Sequence, residues 1–583
     1  MNKTFRRLII AGLALCLVAG AGVWFYKSQN PRALIFKKEI KYFLTSGMIP
    51  REKAETEGLG EVKRVELYEN NCLVSRKYLD FLSGADYKKV YLTEDRKRLV
   101  DYPKGYQIDL PADVDFDFDY GAKFVTATSD TLKAVISKEY SPYDDVQEYL
   151  NYYQNRFILN ETYRAENRIT LLEDTRTEQA GYHVWRIDTR LEEMPDGQMD
   201  GYCYLTLRKD TRDFYRIMIT YDSKKTDIQA VTNQIIDQFK IIPPEGNAKF
   251  YLDWKPELPK GWSDETKRVY EDIKNSGNLH WGIFAEDVYH TGIETRIPEI
   301  EQKVEYKFPV ILSYLHFGTD FPTEFMQNNY DDGRLVELTY QVTDSNNEKL
   351  FGYTPQLDIY RGKYDDTIRE FARQAKAFGH PFLFRLNNEM NSDWTSYSGI
   401  INMSDPDIYI AVWQRFYEIF EEEGVDNAIW IYNPNDRNYP PCNWNDFTAY
   451  YPGNEYVQLV GVTGYNNGTY YKEKLEEWRE FDTIYSEIQT AYEPFFSRFP
   501  WIITEFSSSS IGGDKVAWID SMFKNIGKYK NIKIAVWFSY ADFDTDPKTG
   551  KKIEARPYRM DETPETLEAF RRGLREYGVE GWK

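Results

Sequence analysis

Phe382-Leu-Phe-Arg-Leu-Asn-Asn-Glu-Met-Asn391 and Trp501-Ile-Ile-Thr-Glu-Phe506 decide the fold. Each is a short β-branched or aromatic run that stops at a polar residue cluster. That is the pattern of a parallel strand buried on both faces and ending at the mouth of a fold. Working outward, the same signature recurs in Trp281-Gly-Ile-Phe284, Pro309–Tyr314, Leu335–Val342, Ala428-Ile-Trp-Ile-Tyr432, Val457–Val462 and Ile532–Phe538. With Pro381–Leu386 and Trp501–Thr504 the set numbers eight. Helical patterns fall between them. Ile368, Phe371, Ala372 and Ala375 share one face of a helix that ends at Gly379. Asp405-Pro406 reads as an N-cap followed by Pro at the first helical position. The helix it opens turns Tyr409, Val412, Trp413, Phe416 and Phe420 inward and closes at Gly424. Eight strand–helix units over residues 250–583 predict an α/β architecture, a (β/α)8 TIM barrel.

Glu389 and Glu505 end two different strands, where the loops of such a barrel build active sites. Two carboxyls across one cleft suit glycoside hydrolysis. One donates a proton to the leaving oxygen, and the other acts as nucleophile or base across the sugar ring. One must hold its proton near neutral pH while its partner is ionised. Arg385, on the Glu389 strand, is placed to hold Glu505 charged. Tyr314, His316 and Gln341 end the second and third strands and are candidates for lining the sugar subsites.

Upstream, residues 61–243 read as a smaller α+β domain of unassigned role and partner. Val184–Leu191, Tyr202–Leu207 and Phe214–Tyr221 are strand candidates, the last two joined by a polar hairpin connection. Asp227–Phe239 carries a helical apolar stripe with Thr226 as its N-cap, and Tyr143–Phe157 is a second helix candidate. Asp113-Val-Asp-Phe-Asp-Phe-Asp119 alternates strictly and reads as a strand with an acidic face, its Gly being one place late for a calcium loop. Asp542–Pro547 reads as a solvated acidic turn. Pro243–Asn247 is the linker. Met1–Phe25 has a basic start (Lys3, Arg6, Arg7) and a long apolar run, so residues 1–30 are a signal anchor or a signal peptide. Residues 31–60 read as a juxtamembrane stalk, with all that follows outside the membrane.

The 583 residues exceed what one core serves, which agrees with several domains. A net charge of −20 argues against nucleic acid as a partner. The aromatic content of 16%, with 47 Tyr and 14 Trp, supplies flat faces for cores and for sugar rings alike. The four cysteines form no metal knuckle, and a Cys72–Cys203 bridge and free thiols both fit their spacing. The histidines show no zinc-hydrolase spacing, and no metal or organic cofactor is expected.

Arg385-Leu-Asn-Asn-Glu-Met-Asn391 with Trp394, Trp430-Ile-Tyr-Asn-Pro434, Tyr450–Val457 with Val460–Tyr465, Ile503-Thr-Glu-Phe506 and Val536-Trp-Phe538 together resemble the ordered motifs of family 26 glycoside hydrolases, the β-mannanase family of clan A. The resemblance implies that Glu389 is the general acid/base and Glu505 the nucleophile. It further implies that Arg385 orients the nucleophile, Tyr465 contacts it, Trp394 is an active-site Trp, and Trp537 is the platform beneath the sugar at the cleavage point. Two positions depart from the family pattern. Asn388 stands where mannanases carry His; Asn there is common in the wider clan, where it contacts the sugar 2-hydroxyl. Thr463 stands where the usual residue is Asp. The expected function is retaining, endo-acting hydrolysis of a β-linked polysaccharide of mannan, glucan or xylan type outside the cell membrane. The alternative is a surface protein that binds carbohydrate or handles exopolysaccharide with little or no hydrolysis.

Overall fold

The eight apolar runs become eight parallel strands that close into a barrel: β1 (His280–Ala285), β2 (Val310–His316), β3 (Leu335–Gln341), β4 (Phe382–Leu386), β5 (Ala428–Tyr432), β6 (Leu459–Thr463), β7 (Trp501–Phe506) and β8 (Ile532–Ser539). The computed structural model describes residues 53–69, 72–75, 87–209, 211–343, 352–474, 476–546 and 548–578. The apolar run Met1–Phe25 and most of the 31–60 stretch lie outside them. Among the described residues no helix is long and apolar enough to cross a membrane.

Two compact units make up the chain. The barrel unit holds residues 253–583 together with 147–169, a segment from within the 61–243 stretch. This segment carries α1 (Val146–Arg156) and α2 (Glu161–Asn167), the latter capped by Asn160, whose Oδ1 accepts from Tyr163 N at 2.9 Å. Ahead of β1, α3 (Asp264–Asn275) closes the lower end of the barrel: Trp262, Tyr270 and Ile273 join the lumen residues Val310, Leu312, Leu383, Ile429, Ile431, Leu459, Ile502, Ile534 and Val536 in one apolar cluster. Burying side chains of this kind is worth about 1.5–3 kcal/mol each. α4 (Pro406–Glu423) starts at Asp405, whose carboxylate accepts from Asp407 N at 3.1 Å, and stops at left-handed Gly424. α5 (Lys515–Ile526) and α6 (Pro564–Tyr577) cover β7 and β8 from outside.

Period-2 alternation along each strand fixes what enters the lumen. Apart from Glu337 on β3, apolar residues fill its lower half, and Tyr314, Thr339, Arg385, Asn433 and Thr463 succeed them toward the mouth. Gly461 leaves room for this polar layer, since a Cβ there would stand 2.6 Å from Asn433 Cβ. Acidic Asp542–Thr545 forms a strand and not a turn, pairing with Lys552–Pro557 after β8.

The other unit spans 1–146 and 170–252. Leu132–Tyr140, Asp213–Tyr221, Gly201–Arg208 and Tyr182–Leu191 pair antiparallel in that order within a seven-stranded sheet, and a six-stranded sheet accompanies it. Leu99, Ile108 and Leu110 of the smaller sheet, Ile136, Leu205 and Ile217 of the larger, and Ile235 and Ile236 of the helix Ile228–Gln238 share one core. The N-cap of that helix is Asp227, whose Oδ1 accepts from Ala230 N at 3.1 Å, whereas the Thr226 hydroxyl donates to Thr131 O. Within the 113–119 stretch, only Asp115–Asp117 is strand. Cys203 is a buried free thiol.

Candidate active site

β4 delivers Arg385 into the lumen and then breaks sharply. Asn387 and Glu389 both adopt left-handed backbone (φ 50° and 58°), a conformation that costs a residue with a Cβ about 1–3 kcal/mol and persists only where its surroundings enforce it. Those surroundings are hydrogen bonds. Asn387 N donates to Tyr340 O at 3.0 Å and Glu389 N to Asn433 O at 2.7 Å, while Asn387 Oδ1 accepts from Val342 N at 2.7 Å. The turn sends Asn388 toward Glu505 and sets Glu389 beside it.

Glu505 reaches the same place by a different device. Ile502 and Thr504 already face the lumen, so strict alternation would turn Glu505 outward. A bulge intervenes. Ile503 pairs with Ala535 and Phe506 with Trp537, so three residue steps on β7 span two on β8. The extra residue re-aims one side chain. Thr504 Oγ1 donates to Asn433 Oδ1 at 2.9 Å, and Glu505 faces the lumen as well.

The two carboxyls occupy opposite environments. Glu505, only 4% exposed, accepts from Arg385 Nη1 at 3.3 Å, from Asn388 Nδ2 at 3.2 Å and from the Tyr314 hydroxyl. Among the described residues, Glu389 accepts from neutral donors only, Asn435 Nδ2 at 2.5 Å and the Trp394 indole. Burial and the nearby Glu505 charge raise the Glu389 pKa above the usual carboxylate range. A cation thus stands beside one carboxyl and a like charge beside the other.

Arg385 is held through two of its three guanidinium nitrogens, Nε and Nη1. Nε donates to Thr339 Oγ1 at 2.6 Å and lies 3.1 Å from Glu337 Oε1; Nη1 also donates to Asn433 Oδ1 at 2.9 Å. Glu337, wholly buried on β3, escaped the sequence reading. The available signal was a carboxylate between Val336 and Leu338, inside a barrel strand. Burial drives its pKa up to about 8, against the pull of Arg385.

Most of the residues expected at the site meet there. Asn388 Oδ1 accepts from Gln341 Nε2 at 3.0 Å and from Tyr397 OH at 2.9 Å, which fixes its amide with Nδ2 toward Glu505; Tyr397 is a second residue the sequence did not reveal. His316 and Gln341 stand in register at the upper ends of β2 and β3, both partly exposed. Trp394 is 42% exposed, its ring 5.2 Å from that of Tyr439. Tyr465 packs its ring against Phe538 and Tyr558, and burial with the charges of Glu505 and Glu389 raises its hydroxyl pKa. The phenol bonded to Glu505 is Tyr314 of β2.

Trp537 does not form a platform in the cleft. It is fully buried between β8 and the outer helices, against Phe506, Trp518 and Phe570, with its indole donating to Tyr558 O at 3.0 Å. Val536 and Phe538 take the inward parity of β8. Phe538, stacked on Phe284 at 4.6 Å, is the aromatic that lines the mouth. Among the described residues no group of His, Cys, Asp and Glu is arranged to hold a metal ion.

Parts of this chain are similar to known proteins. The family model described as Glycosyl hydrolase family 26 matches residues 342–490, which include Glu389, Asn433 and Tyr465. Endoglucanase H of Acetivibrio thermocellus is 29% identical over 289 residues, covering 48% of this chain and 29% of the relative. A mannan endo-1,4-beta-mannosidase of Bacillus subtilis is 33% identical over 125 residues, covering 20% of this chain and 30% of the relative. The chain thus spans about three tenths of the length of these curated relatives. Among solved structures, the catalytic domain of the Bacillus sp. JAMB-750 GH26 endo-beta-1,4-mannanase superposes with a TM-score of 0.41 at 15% identity, over 57% of this chain and 94% of that one.

Proposed function

The chain belongs to glycosyl hydrolase family 26 through its barrel, and on that premise we propose that the barrel hydrolyses a β-linked polysaccharide, within the chain, with retention of configuration. The observation that carries this reading is the contrast between the two facing carboxyls, Glu505 on a cation and two further donors, Glu389 on neutral donors alone. Ionised Glu505 attacks the anomeric carbon, while Glu389, holding its proton, gives it to the departing oxygen. Forming the glycosyl–Glu505 ester removes the negative charge that kept Glu389 protonated. The Glu389 pKa then falls, and the same carboxyl becomes the base that draws a proton from the incoming water. Breakdown of the ester restores the Glu505 charge and with it the acid form of Glu389. Arg385 and Tyr314 hold the nucleophile, and Asn388, locked by Gln341 and Tyr397, presents its amide where a sugar hydroxyl beside the anomeric carbon would lie.

The activities named for the relatives, an endoglucanase and a mannan endo-1,4-beta-mannosidase, support a glucan or a β-1,4-linked mannan as the substrate class. The basic start and apolar run of Met1–Phe25 support a site of action outside the membrane.

The test is to incubate the purified chain with mannan, glucomannan, mixed-linkage glucan and xylan and to assay reducing ends, with NMR of the first anomer released. We expect release from at least one polymer with β-configuration retained, and its loss in Glu505→Ala. No release from any polymer, or release undiminished in Glu505→Ala, would overturn the reading.

A further inference from the structure

Two loops hold the partners of Glu389, and one helix from outside the eight strand–helix units touches both. The loop after β4 carries Trp394, and the loop after β5 carries Asn435. Asn391 ties them together, donating from Nδ2 to Asn435 O at 3.1 Å and to Asn438 Oδ1 at 2.8 Å and accepting from Tyr439 N at 2.8 Å. α1 lies across this pair. The Tyr149 hydroxyl meets Cys442 Sγ at 3.0 Å, and, two turns later, Arg156 Nη1 donates to Asp393 Oδ2 at 2.8 Å. α2 fastens the same segment further round the mouth, where Asn167 Nδ2 donates to Gly352 O at 2.9 Å and Arg168 pairs with Asp358.

Tyr152 follows Tyr149 by three positions and precedes Arg156 by four, so all three share the helix face turned to these loops. Arg156 fixes Tyr152 twice, donating to its hydroxyl at 2.7 Å and standing over its ring at 4.8 Å. The ring nevertheless remains 47% exposed, and Trp394, one residue from the Asp393 anchor, is 42% exposed. Large aromatic surface left open and rotationally fixed beside a catalytic carboxyl suits a partner with flat apolar faces, because little side-chain freedom remains to be lost on binding. A β-linked sugar ring has such faces. The acid of a glycosidase stands on the side of the bond where the leaving portion of the polymer lies.

We propose that Tyr152, with Trp394 and Tyr439, forms an aromatic subsite that stacks the leaving-group end of the polysaccharide, so that a helix from outside the eight strand–helix units extends the cleft. This rests on the hydrolase reading above for its place in the reaction, but binding tests it separately. The probes are konjac glucomannan and barley mixed-linkage glucan cast into native gels, followed by hydrolysis of β-1,4-linked oligosaccharides of three to six sugars. Tyr152→Ala loses about tenfold in affinity for a retarding polymer, and its KM rises more on the hexasaccharide than on the trisaccharide. Tyr152→Phe keeps the ring and restores both. Retardation by the wild-type chain that is unchanged in Tyr152→Ala, or a KM loss equal at every length, overturns the subsite. If the wild-type chain is retarded without hydrolysing anything, the hydrolase reading fails while the gel comparison still decides the subsite.

Discussion

Glu337→Gln separates the two acids that share Arg385. Glu337 lies wholly buried with Arg385 Nε 3.1 Å from its Oε1, and burial moves its pKa from 4.5 to about 8. A carboxyl whose folded pKa exceeds its unfolded value binds its proton more tightly in the folded chain. The stability it contributes is full below about pH 4.5 and is lost as pH rises toward 8. At about 1.36 kcal/mol for each tenfold change in proton affinity, the loss between these limits is on the order of 5 kcal/mol. Gln has nearly the shape of the protonated acid and does not titrate in this range, so the variant lacks that slope. Glu389, also raised, titrates in both proteins and cancels in the difference. Urea unfolding at pH 5, 6, 7 and 8 should give similar midpoints at pH 5, with the variant pulling ahead as pH rises. Parallel midpoints across this range, or a variant weaker at every pH, would show Glu337 ionised against Arg385 throughout and refute the reasoning.

Three further outcomes follow from the same geometry. Glu389→Gln removes the proton donor and should lower kcat on polysaccharide about 10²–10⁴-fold, with a far smaller loss of the first step on an aryl β-glycoside whose phenolate needs no proton, measured as the burst of released phenol. Tyr314→Phe deletes a hydrogen bond to the charged nucleophile, worth about 1.5–3 kcal/mol. The expected cost is about 10–100-fold in kcat/KM, measured on the polymer that the wild-type chain cleaves. Trp537→Ala opens the packing between β8 and the helices α5 and α6 and should cost about 3–5 kcal/mol of stability, read by urea unfolding, with KM unchanged; a raised KM at unchanged stability would return Trp537 to the cleft.

The barrel was legible because its strands, buried on both faces, must be almost wholly apolar, and its helices carry caps that only a helix end requires. Asp405-Pro406 and Gly424 bound α4 where the sequence places them. Glu389 stood out because it lies in the polar cluster at which a short, mostly apolar run stops. What the sequence hid were properties set by pairing and by distance. Trp537 and Phe538 are adjacent aromatics, and which of them faces the lumen follows from the strand register, a one-residue slip exchanging their roles. α1 has the composition of many amphipathic helices, and nothing local in residues 146–156 says that its partners are Asp393 and Cys442, hundreds of residues downstream.

The bulge in β7 shows why such features gather at the reacting centre. Without it, Thr504 would face the lumen and Glu505 the outer helices, among Phe506, Trp518 and Trp537, where an ionised carboxylate has no place. With it, both Thr504 and Glu505 turn inward, and the same strand supplies the hydroxyl that braces Asn433 and the carboxylate that receives Arg385. β4 reaches the matching result through the left-handed turn of Asn387 and Glu389. Regular strands would place one inward side chain every second residue, too sparse for the donors that converge on Glu505. Each irregularity brings in a side chain that alternation would exclude, and the hydrogen bonds of the buried polar layer hold the two strand ends in those conformations. Regular periodicity therefore locates the mouth of the barrel, while departures from it bring Glu389 and Glu505 together there.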